Sequence, residues 1–265
     1  MNNKKIAIIG VGNMGSAIAV GLIKSGFMQP ADILASDKKE ASLAAMKNLG
    51  ITVGVDNFEA AKTADVVLLA VKPYHIAYVI EEIKPALNPE KILISIVAGV
   101  GINEIGEMAG KNMPIFRVMP NTAIALQESL TCISLNENTA THKKYVFDMF
   151  DKLGKTIEIG EELMAAATVL SSCGIAFALR YIRAAMQGGI EIGFGAEMAQ
   201  LITAQTVKGA TELILQSGNH PEREIDKVTT PMGVTITGLN EMEHKGFSSS
   251  LIQGVLASYK KIKRD

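Results

Sequence analysis

The strongest constraint on the fold is a glycine-rich turn near the start of the chain, set between an apolar run and a helix pattern. The run Ile6–Ile9 is typical of a buried strand, and residues 10–15 follow it as Gly-Val-Gly-Asn-Met-Gly. In a dinucleotide site the first glycine makes a tight turn, the second admits the pyrophosphate and the third lets the helix pack on the strand. We predict a cofactor cradle here, with an ordinary strand–helix turn as the alternative. Its predicted contacts are Gly10, Gly12, Asn13, Met14 and Gly15.

Strand and helix patterns alternate through the first half of the chain. After the turn, strand patterns lie at 32–36, 51–55, 65–71, 91–98, 114–119, 129–135 and 156–159, and helix patterns at 39–48, 74–83, 103–109 and 141–153. Repeated strand–helix–strand units imply right-handed crossovers and a mostly parallel sheet. This half is therefore predicted to be an α/β, Rossmann-type dinucleotide-binding domain over residues 1–160.

Long helix patterns replace the strands in the second half. They lie at 163–186, 197–216, 233–244 and 249–262, and they are rich in apolar and small residues. Helices that are apolar on more than one side need partners. We predict an all-helical dimerisation and substrate domain over residues 161–265, and a homodimer formed through it.

Composition narrows the class of protein. Acidic and basic residues nearly balance, at 27 against 26, so no basic excess indicates nucleic acid. No run reaches the ~20 continuous apolar residues of a membrane span. Cys132 and Cys173 are isolated and lack metal-ligand spacing, which suits a reducing compartment. We predict a cytoplasmic protein that binds a small molecule and no metal, nucleic acid or membrane.

The end of the second strand gives conflicting signals about the cofactor. Asp37 follows Gly15 by 22 residues, close to the ~20 expected of an acid on the adenosine ribose, which favours NADH. Lys38 and Lys39 come next and would hold the 2′-phosphate of NADPH. We leave NADPH or NADH open, with a slight preference for NADPH, and place Ser36, Asp37 and Lys38 beside the cofactor; a solvated turn is the alternative.

Three further turns follow central strands, where ligands bind in open parallel sheets. They read Val71-Lys72-Pro73, Val97-Ala98-Gly99 and Met119-Pro120-Asn121-Thr122. We predict that they face the nicotinamide, although each alone would also serve as a plain strand-ending loop. In the helical half, the segment 229–235 directly precedes a helix, whose free N–H groups suit a carboxylate; a simple helix cap explains it equally well. No nucleophile motif or metal spacing stands out, which favours chemistry carried by a cofactor.

Taken together, these motifs resemble the pyrroline-5-carboxylate reductase family along the whole chain. The matching segments are 8–15, 56–57, 70–73, 98–100, 117–122, 204–206, 209–210 and, most specific, 226–239. The resemblance implies reduction of 1-pyrroline-5-carboxylate to L-proline by hydride from NAD(P)H, in a homodimer that can assemble into a larger ring. It implies cofactor contacts at Asn57, Ala70, Val71, Lys72, Pro73, Val97, Ala98 and Asn121. It implies a substrate-carboxylate site at Thr230, Gly233, Val234 and Thr235, with Thr235 also acting near the ring nitrogen.

The chain departs from the family pattern at several positions. Met232 stands where the family usually has glycine, and we expect its side chain to narrow the carboxylate pocket or to prevent a left-handed backbone. Ala123 replaces a proline, residues 172–175 replace Gly-Ser-Gly-Pro, and Asp37-Lys38 replaces Asn-Arg. Two other functions stay open: a β-hydroxyacid dehydrogenase with Lys208 as its base, and a non-catalytic nicotinamide-nucleotide binder.

Overall fold

The computed structural model describes residues 4–110 and 112–263. They form two compact units. The first unit runs up to Ser172 and includes the chain end from Ile262, and the second is Cys173–Lys261. The predicted boundary at 160/161 falls just after the last strand, and it stays a prediction.

The first unit is built on a sheet with the order β3-β2-β1-β4-β5-β6-β7-β8. Its strands are β1 (Ile6–Ile9), β2 (Ile33–Ser36), β3 (Thr52–Gly54), β4 (Val66–Leu69), β5 (Ile92–Ser95), β6 (Ile115–Met119), β7 (Ser129–Leu135) and β8 (Gly154–Glu158). The strands from β3 to β6 pair in parallel, β7 is antiparallel to β6, and β8 is parallel to β7. The predicted Rossmann-type α/β class with a mostly parallel sheet is confirmed.

Helices connect the strands and form most of the described second half of the chain. The α-helices are α1 (Asn13–Lys24), α2 (Glu40–Lys47), α3 (Asn57–Thr63), α4 (Ile76–Ile83), α5 (Ile102–Ala109), α6 (Lys143–Asp151), α7 (Met164–Ala167), α8 (Gly174–Glu191), α9 (Ala196–Ser217), α10 (Pro221–Lys227), α11 (Val234–His244) and α12 (Phe247–Ile262). The predicted helical second half is also confirmed.

The central strands are apolar because both faces of the sheet are covered. Every residue of β1 and β4 is at most 1% exposed. Residues of α1 and α6 share one core with the sheet, and residues of α4 and α5 share the core on its other face. Each fully buried aliphatic side chain contributes roughly 1.5–3 kcal/mol. This double core fixes the ends of β1, β4, β5 and β6, from which the predicted cofactor loops extend.

Two short helices, α3 and α10, have no counterpart among the predicted elements. Asp56 caps α3 by accepting a hydrogen bond from the Glu59 N–H at 3.0 Å, and His220 caps α10 by accepting one from the Glu222 N–H at 3.3 Å. Each helix has only seven residues, so it has little apolar periodicity and depends on its cap. Hydrophobic periodicity, which predicts the longer helices, therefore does not predict α3 or α10.

The helix pattern predicted over 163–186 is interrupted by a wider turn. Residues Thr168–Cys173 form a π turn between α7 and α8. By length and composition alone, Glu161–Glu191 would also span a membrane, with a mean hydropathy of 1.7 and only 17% of its apolar window buried. One such helix is weak support for a membrane span, because helices that pack in protein interfaces have the same composition.

The second unit consists of helices with unusually exposed apolar side chains. Helices α8 and α9 pack closely, and a Cβ placed on Gly189 would lie 3.2 Å from the Cβ of Ala199. Leu201 is 64% exposed and Leu215 is 67% exposed. Covering such side chains removes apolar area from water, so these helices are suited to contact a second copy of the chain in an oligomer.

Candidate cofactor and substrate sites

The glycine turn has the geometry that a phosphate cradle requires. Gly10 has a φ of +94°, and a Cβ there would lie 2.7 Å from the Ala70 carbonyl oxygen. At Gly15 a Cβ would overlap the carbonyl oxygen of Gly10, so the helix packs on the strand only without a side chain. At Gly12 a Cβ would meet nothing within 4 Å. That open side is where a ligand could approach the backbone.

Helix α1 begins at this open side and gives the cradle its polarity. Gly12 is the N-cap residue of the helix, and no side chain caps the helix N-terminus there. The first N–H groups of an α-helix have no acceptor within the helix and favour an anion at its N-terminus. Asn13 and Met14 occupy these first positions, partly or fully exposed. The residues present therefore fit the pyrophosphate of a dinucleotide.

Asp37 is held against the glycine turn by its carboxylate. One carboxylate oxygen accepts a hydrogen bond from the Val11 N–H and the other accepts one from the Lys39 N–H, both at 2.9 Å. The carboxylate thereby braces the turn. Lys38 is exposed, and its ammonium lies 4.9 Å from the centre of the Tyr78 ring on α4, a favourable cation–π distance.

Ser36 and Asn57 are joined in a buried polar chain behind this edge. The Ser36 hydroxyl donates to Asn57 Oδ1 at 2.7 Å, and Asn57 Nδ2 donates to the Glu82 carboxylate at 2.8 Å. Ser36 is fully buried and Asn57 is 6% exposed. Their side chains thus position the end of β2 against α3, and one Asn57 amide hydrogen remains for a ligand.

The predicted cofactor loops extend from the same edge of the sheet, because β1, β4, β5 and β6 are adjacent and parallel. The strand order reverses between β1 and β4, which is where dinucleotides bind in such sheets. The Ala70 N–H donates to the Ile9 carbonyl at 2.8 Å. Lys72, Pro73 and Ala98 are exposed, Ala70 and Val71 are half-buried, and Val97 is buried.

Asn121 lies at the end of β6 and uses most of its polar groups within the protein. Its backbone N–H donates to the Ser129 hydroxyl at 3.1 Å, and its Oδ1 accepts from the Ala123 N–H at 3.0 Å. Its Nδ2 donates to the Ser171 carbonyl at 3.2 Å. The side chain is 7% exposed, and the Nδ2 group has a second hydrogen that its bond to Ser171 does not use.

The predicted carboxylate site is the start of α11. Gly233 precedes the helix, and a Cβ there would lie 2.5 Å from the Thr230 hydroxyl, so only glycine fits beside that side chain. The Gly233 N–H donates to the Thr230 carbonyl at 2.9 Å. The N–H groups of Val234 and Thr235 open the helix and have no acceptor within it. Thr230, Val234 and Thr235 are exposed, which leaves this helix start open to an anion.

The expectation that Met232 prevents a left-handed backbone is wrong. Met232 has a φ of +59°, and its side chain is fully exposed. A side chain in this region costs about 1–2 kcal/mol but does not forbid the conformation. The alternative that the side chain narrows the pocket stays a prediction.

Two other side chains with catalytic potential, those of Cys132 and Lys208, differ in burial. Burial raises the pKa of the Cys132 thiol, so that thiol stays protonated near neutral pH. Lys208 lies exposed on α9. Within residues 4–110 and 112–263, no cluster of three or more acidic, histidine or cysteine side chains is arranged to hold a metal.

Several residues around these sites carry no signal in the sequence. Tyr78 meets Lys38 from 40 positions away, and Ser171 and Ser172 contact the loop after β6 from about 50 positions away. Such pairs share no motif spacing. They become neighbours only through the strand order and the π turn.

Comparison with known proteins matches both halves of the chain. Residues 161–265 match the family model described as pyrroline-5-carboxylate reductase dimerisation. Residues 5–99 match the model described as NADP oxidoreductase, coenzyme F420-dependent.

Curated proteins similar to this chain share one name. The chain is 41% identical to pyrroline-5-carboxylate reductase 1 of Dictyostelium discoideum over 96% of its own length and 48% of that protein's. It is 40% identical to pyrroline-5-carboxylate reductase 2 of the same organism, over 98% of this chain and 92% of that one. The solved structure of Plasmodium falciparum pyrroline carboxylate reductase with NADP bound superposes with a TM-score of 0.91 at 32% identity, covering 100% of this chain and 98% of that one.

Proposed function

This chain belongs to the pyrroline-5-carboxylate reductase family, and from that membership we propose that it reduces 1-pyrroline-5-carboxylate to L-proline with NAD(P)H. The observation that carries the proposal is the presence, on one chain, of a dinucleotide cradle at residues 10–15 and an open, threonine-flanked helix start at residues 230–235. The first suits a cofactor pyrophosphate and the second suits the carboxylate of a small substrate.

When bound, NAD(P)H would supply the hydride for C5 of the imine, whose protonated nitrogen becomes the amine of proline. The chain's own residues bind and orient. The backbone N–H groups of Val234 and Thr235, with the Thr230 hydroxyl, hold the carboxylate, and Gly233 lets Thr230 lie close beside them. The Thr235 hydroxyl accepts or relays the hydrogen bond of the ring nitrogen and favours the protonated imine. The proposed cofactor contacts are those predicted from the sequence: Gly10, Gly12, Asn13, Met14, Gly15, Ser36, Asp37, Lys38, Asn57, Ala70, Val71, Lys72, Pro73, Val97, Ala98 and Asn121.

Turnover of Thr235→Ala tests the assignment. We expect kcat with 1-pyrroline-5-carboxylate to fall roughly tenfold or more, because a hydrogen bond to the reacting nitrogen is lost. The NADPH dissociation constant, measured by cofactor fluorescence, should stay unchanged, and Thr235→Ser should retain most activity. Thr63→Ala, which deletes an exposed helical threonine hydroxyl, is the control. Unchanged kinetics in Thr235→Ala contradict the assignment, and wild-type activity on hydroxyacids alone contradicts the reaction.

We propose NADPH as the preferred cofactor. Both Asp37 carboxylate oxygens already accept backbone hydrogen bonds, whereas the Lys38 ammonium is exposed beside Tyr78 and free to meet a 2′-phosphate. In Lys38→Ala the KM for NADPH should rise roughly tenfold, the worth of one charge-assisted hydrogen bond, while the KM for NADH stays the same. Lys47→Ala, at an exposed lysine that ends α2, is the control. Equal changes for both cofactors would contradict a phosphate-specific role.

The chain forms a homo-oligomer through residues 161–265, the part that matches a dimerisation model. We further propose a homodimer that can build a larger ring, with the domain boundary at 160/161. We propose that the apolar face of Glu161–Glu191 is covered by the partner subunit rather than by lipid, and that the protein is cytoplasmic and binds no nucleic acid. Sedimentation of the purified protein without detergent tests whether a partner subunit covers this face: we expect a homogeneous oligomer.

A further inference from the structure

The π turn at Thr168–Cys173 is fastened to the loop at the end of β6. The Ser172 hydroxyl donates to the Pro120 carbonyl oxygen at 2.8 Å. The Ser171 hydroxyl donates to the Leu130 carbonyl oxygen, also at 2.8 Å. The Ser171 carbonyl oxygen accepts a hydrogen bond from Asn121 Nδ2. Ser171 is 7% exposed, so its polar groups depend on these partners.

A wide helical turn of this kind costs helix regularity, and such turns occur frequently at functional sites. Here the turn places two consecutive serines so that both hydroxyls reach carbonyls outside the helix. The partners belong to the loop 120–122 and to β7 beside it. The turn therefore has a specific use in the first unit: it supplies the hydrogen bonds that hold a loop at the ligand edge of the sheet.

We propose that Ser172 and Ser171 are positioning residues for the reaction, acting through Pro120 and Asn121 on the predicted nicotinamide side of the sheet. The proposal rests on the proposed function. The Pro120 carbonyl is bonded to Ser172 and the Asn121 side-chain amide is bonded to Ser171. These bonds hold the loop in one arrangement, in which the second Asn121 amide hydrogen and the exposed Thr122 are offered to a ligand. By holding the loop, these bonds would keep the groups that contact the ligand correctly oriented. A displacement of such groups by about 1 Å costs roughly 100-fold in rate.

The bond from Ser172 is the one to remove, because Ser172 has no predicted contact with cofactor or substrate. In Ser172→Ala we expect kcat to fall about tenfold, with the NADPH dissociation constant of the free enzyme unchanged. Ser172→Thr keeps the hydroxyl and should restore kcat. Ser134→Ala is the matched control: it deletes a buried serine hydroxyl that donates to the Ile159 carbonyl at 2.9 Å, in the same unit and away from the loop.

Hydrogen exchange supplies a second readout that does not depend on turnover. The Ala123 and Ile124 amides are protected by bonds to Asn121. Ser172→Ala should speed their exchange about tenfold in peptides covering 119–128, and Ser134→Ala should leave it unchanged. If the wild-type protein fails to reduce 1-pyrroline-5-carboxylate, the proposed function falls, while exchange still tests the brace.

Two outcomes overturn the positioning role. One is a kcat for Ser172→Ala within twofold of wild type. The other is a loss of kcat that Ser134→Ala shares in proportion to its loss of thermal stability, because a purely structural hydroxyl would behave in that way. A selective loss of kcat, restored by threonine and accompanied by faster exchange in the loop, supports it.

Discussion

Met232 illustrates how one side chain can be tolerated at a position suited to glycine. Its φ of +59° lies in the left-handed region, and its side chain is fully exposed and makes no packing contact that would offset the strain. The strain for a residue with a Cβ is about 1–2 kcal/mol. Glycine would remove the strain but add about 0.5–1 kcal/mol of backbone entropy to the unfolded chain. The strain is the larger of the two.

Met232→Gly should therefore stabilise the protein by about 0.5–1 kcal/mol, the difference between these opposing effects. Urea unfolding at a fixed protein concentration measures the change. Met232→Ala keeps the Cβ and the strain, so it should show no such gain. If alanine stabilises as much as glycine, the side chain beyond Cβ is responsible and backbone strain is not.

For single residues, the sequence predicts steric roles, such as those of the glycines, better than roles that depend on how a side chain is oriented. Gly10 and Gly15 follow from the strand–turn–helix pattern, because only glycine permits that turn and that packing. Asp37 is recognisable as an acid at the right spacing, but the pattern does not say that its carboxylate faces the Val11 and Lys39 amides. The orientation of a side chain depends on neighbours that only the fold brings together.

Helix α3 shows how a short element depends on a distant residue. The Lys91 ammonium, just before β5, donates to the Ala61 carbonyl at 2.9 Å, to the Lys62 carbonyl at 3.1 Å and to the Ala64 carbonyl. These carbonyls lie at the C-terminus of α3, where a cation also complements the helix dipole. A seven-residue helix is too short to be stable alone in water. Lys91 therefore secures its end.

Lys91→Met should lower the free energy of unfolding by roughly 1–3 kcal/mol, since it keeps the aliphatic stem but leaves partly buried carbonyls without their donor. Chemical denaturation measures the loss. Lys62→Met is the control, because Lys62 is 61% exposed and its ammonium makes two weak contacts, a 3.5 Å pair with Glu59 and a cation–π contact at 5.7 Å from the centre of the Phe58 ring. An equal loss in both variants would show that charge alone, and not helix capping, is at work.

The long elements were predictable and their ends were not. Continuous apolar runs place β1, β4 and β5 correctly, yet the predicted strands at 65–71 and 91–98 extend beyond Val66–Leu69 and Ile92–Ser95. The apolar character continues into the loops because Val71 and Val97 pack on the core from outside the ladder. Strand ends are set by pairing with neighbours, which hydrophobicity does not encode.

At the scale of the whole molecule, apolar surface is concentrated on the second unit. A hollow of about 340 Å³ on α8 and α9 is lined by Tyr181, Thr206, Val207, Ala210, Thr211, Ile214 and Leu215. Covering such a surface with a second copy removes apolar area from water. The helical spacing of these residues predicts a packing face from sequence, but it does not predict which copy or angle completes it.

Leu215→Lys should weaken self-association, because it places a charge in this hollow. We expect the apparent molecular mass in sedimentation to decrease at micromolar concentration. Leu49→Lys, at a 41% exposed leucine of the first unit, should leave it unchanged. A full-sized oligomer in Leu215→Lys would place the subunit contact elsewhere.

The contact between Gly10 and Ala70 sets an order of events during biosynthesis. The turn that would hold the cofactor is made by residues 10–15, but it packs against Ala70, 60 residues later in the chain, whose N–H donates to the Ile9 carbonyl just before the turn. A nascent chain emerging at about 5–20 residues per second therefore carries the unformed cradle for several seconds until β4 has left the ribosome. We therefore expect added cofactor to assist folding of the completed domain but not of its first half.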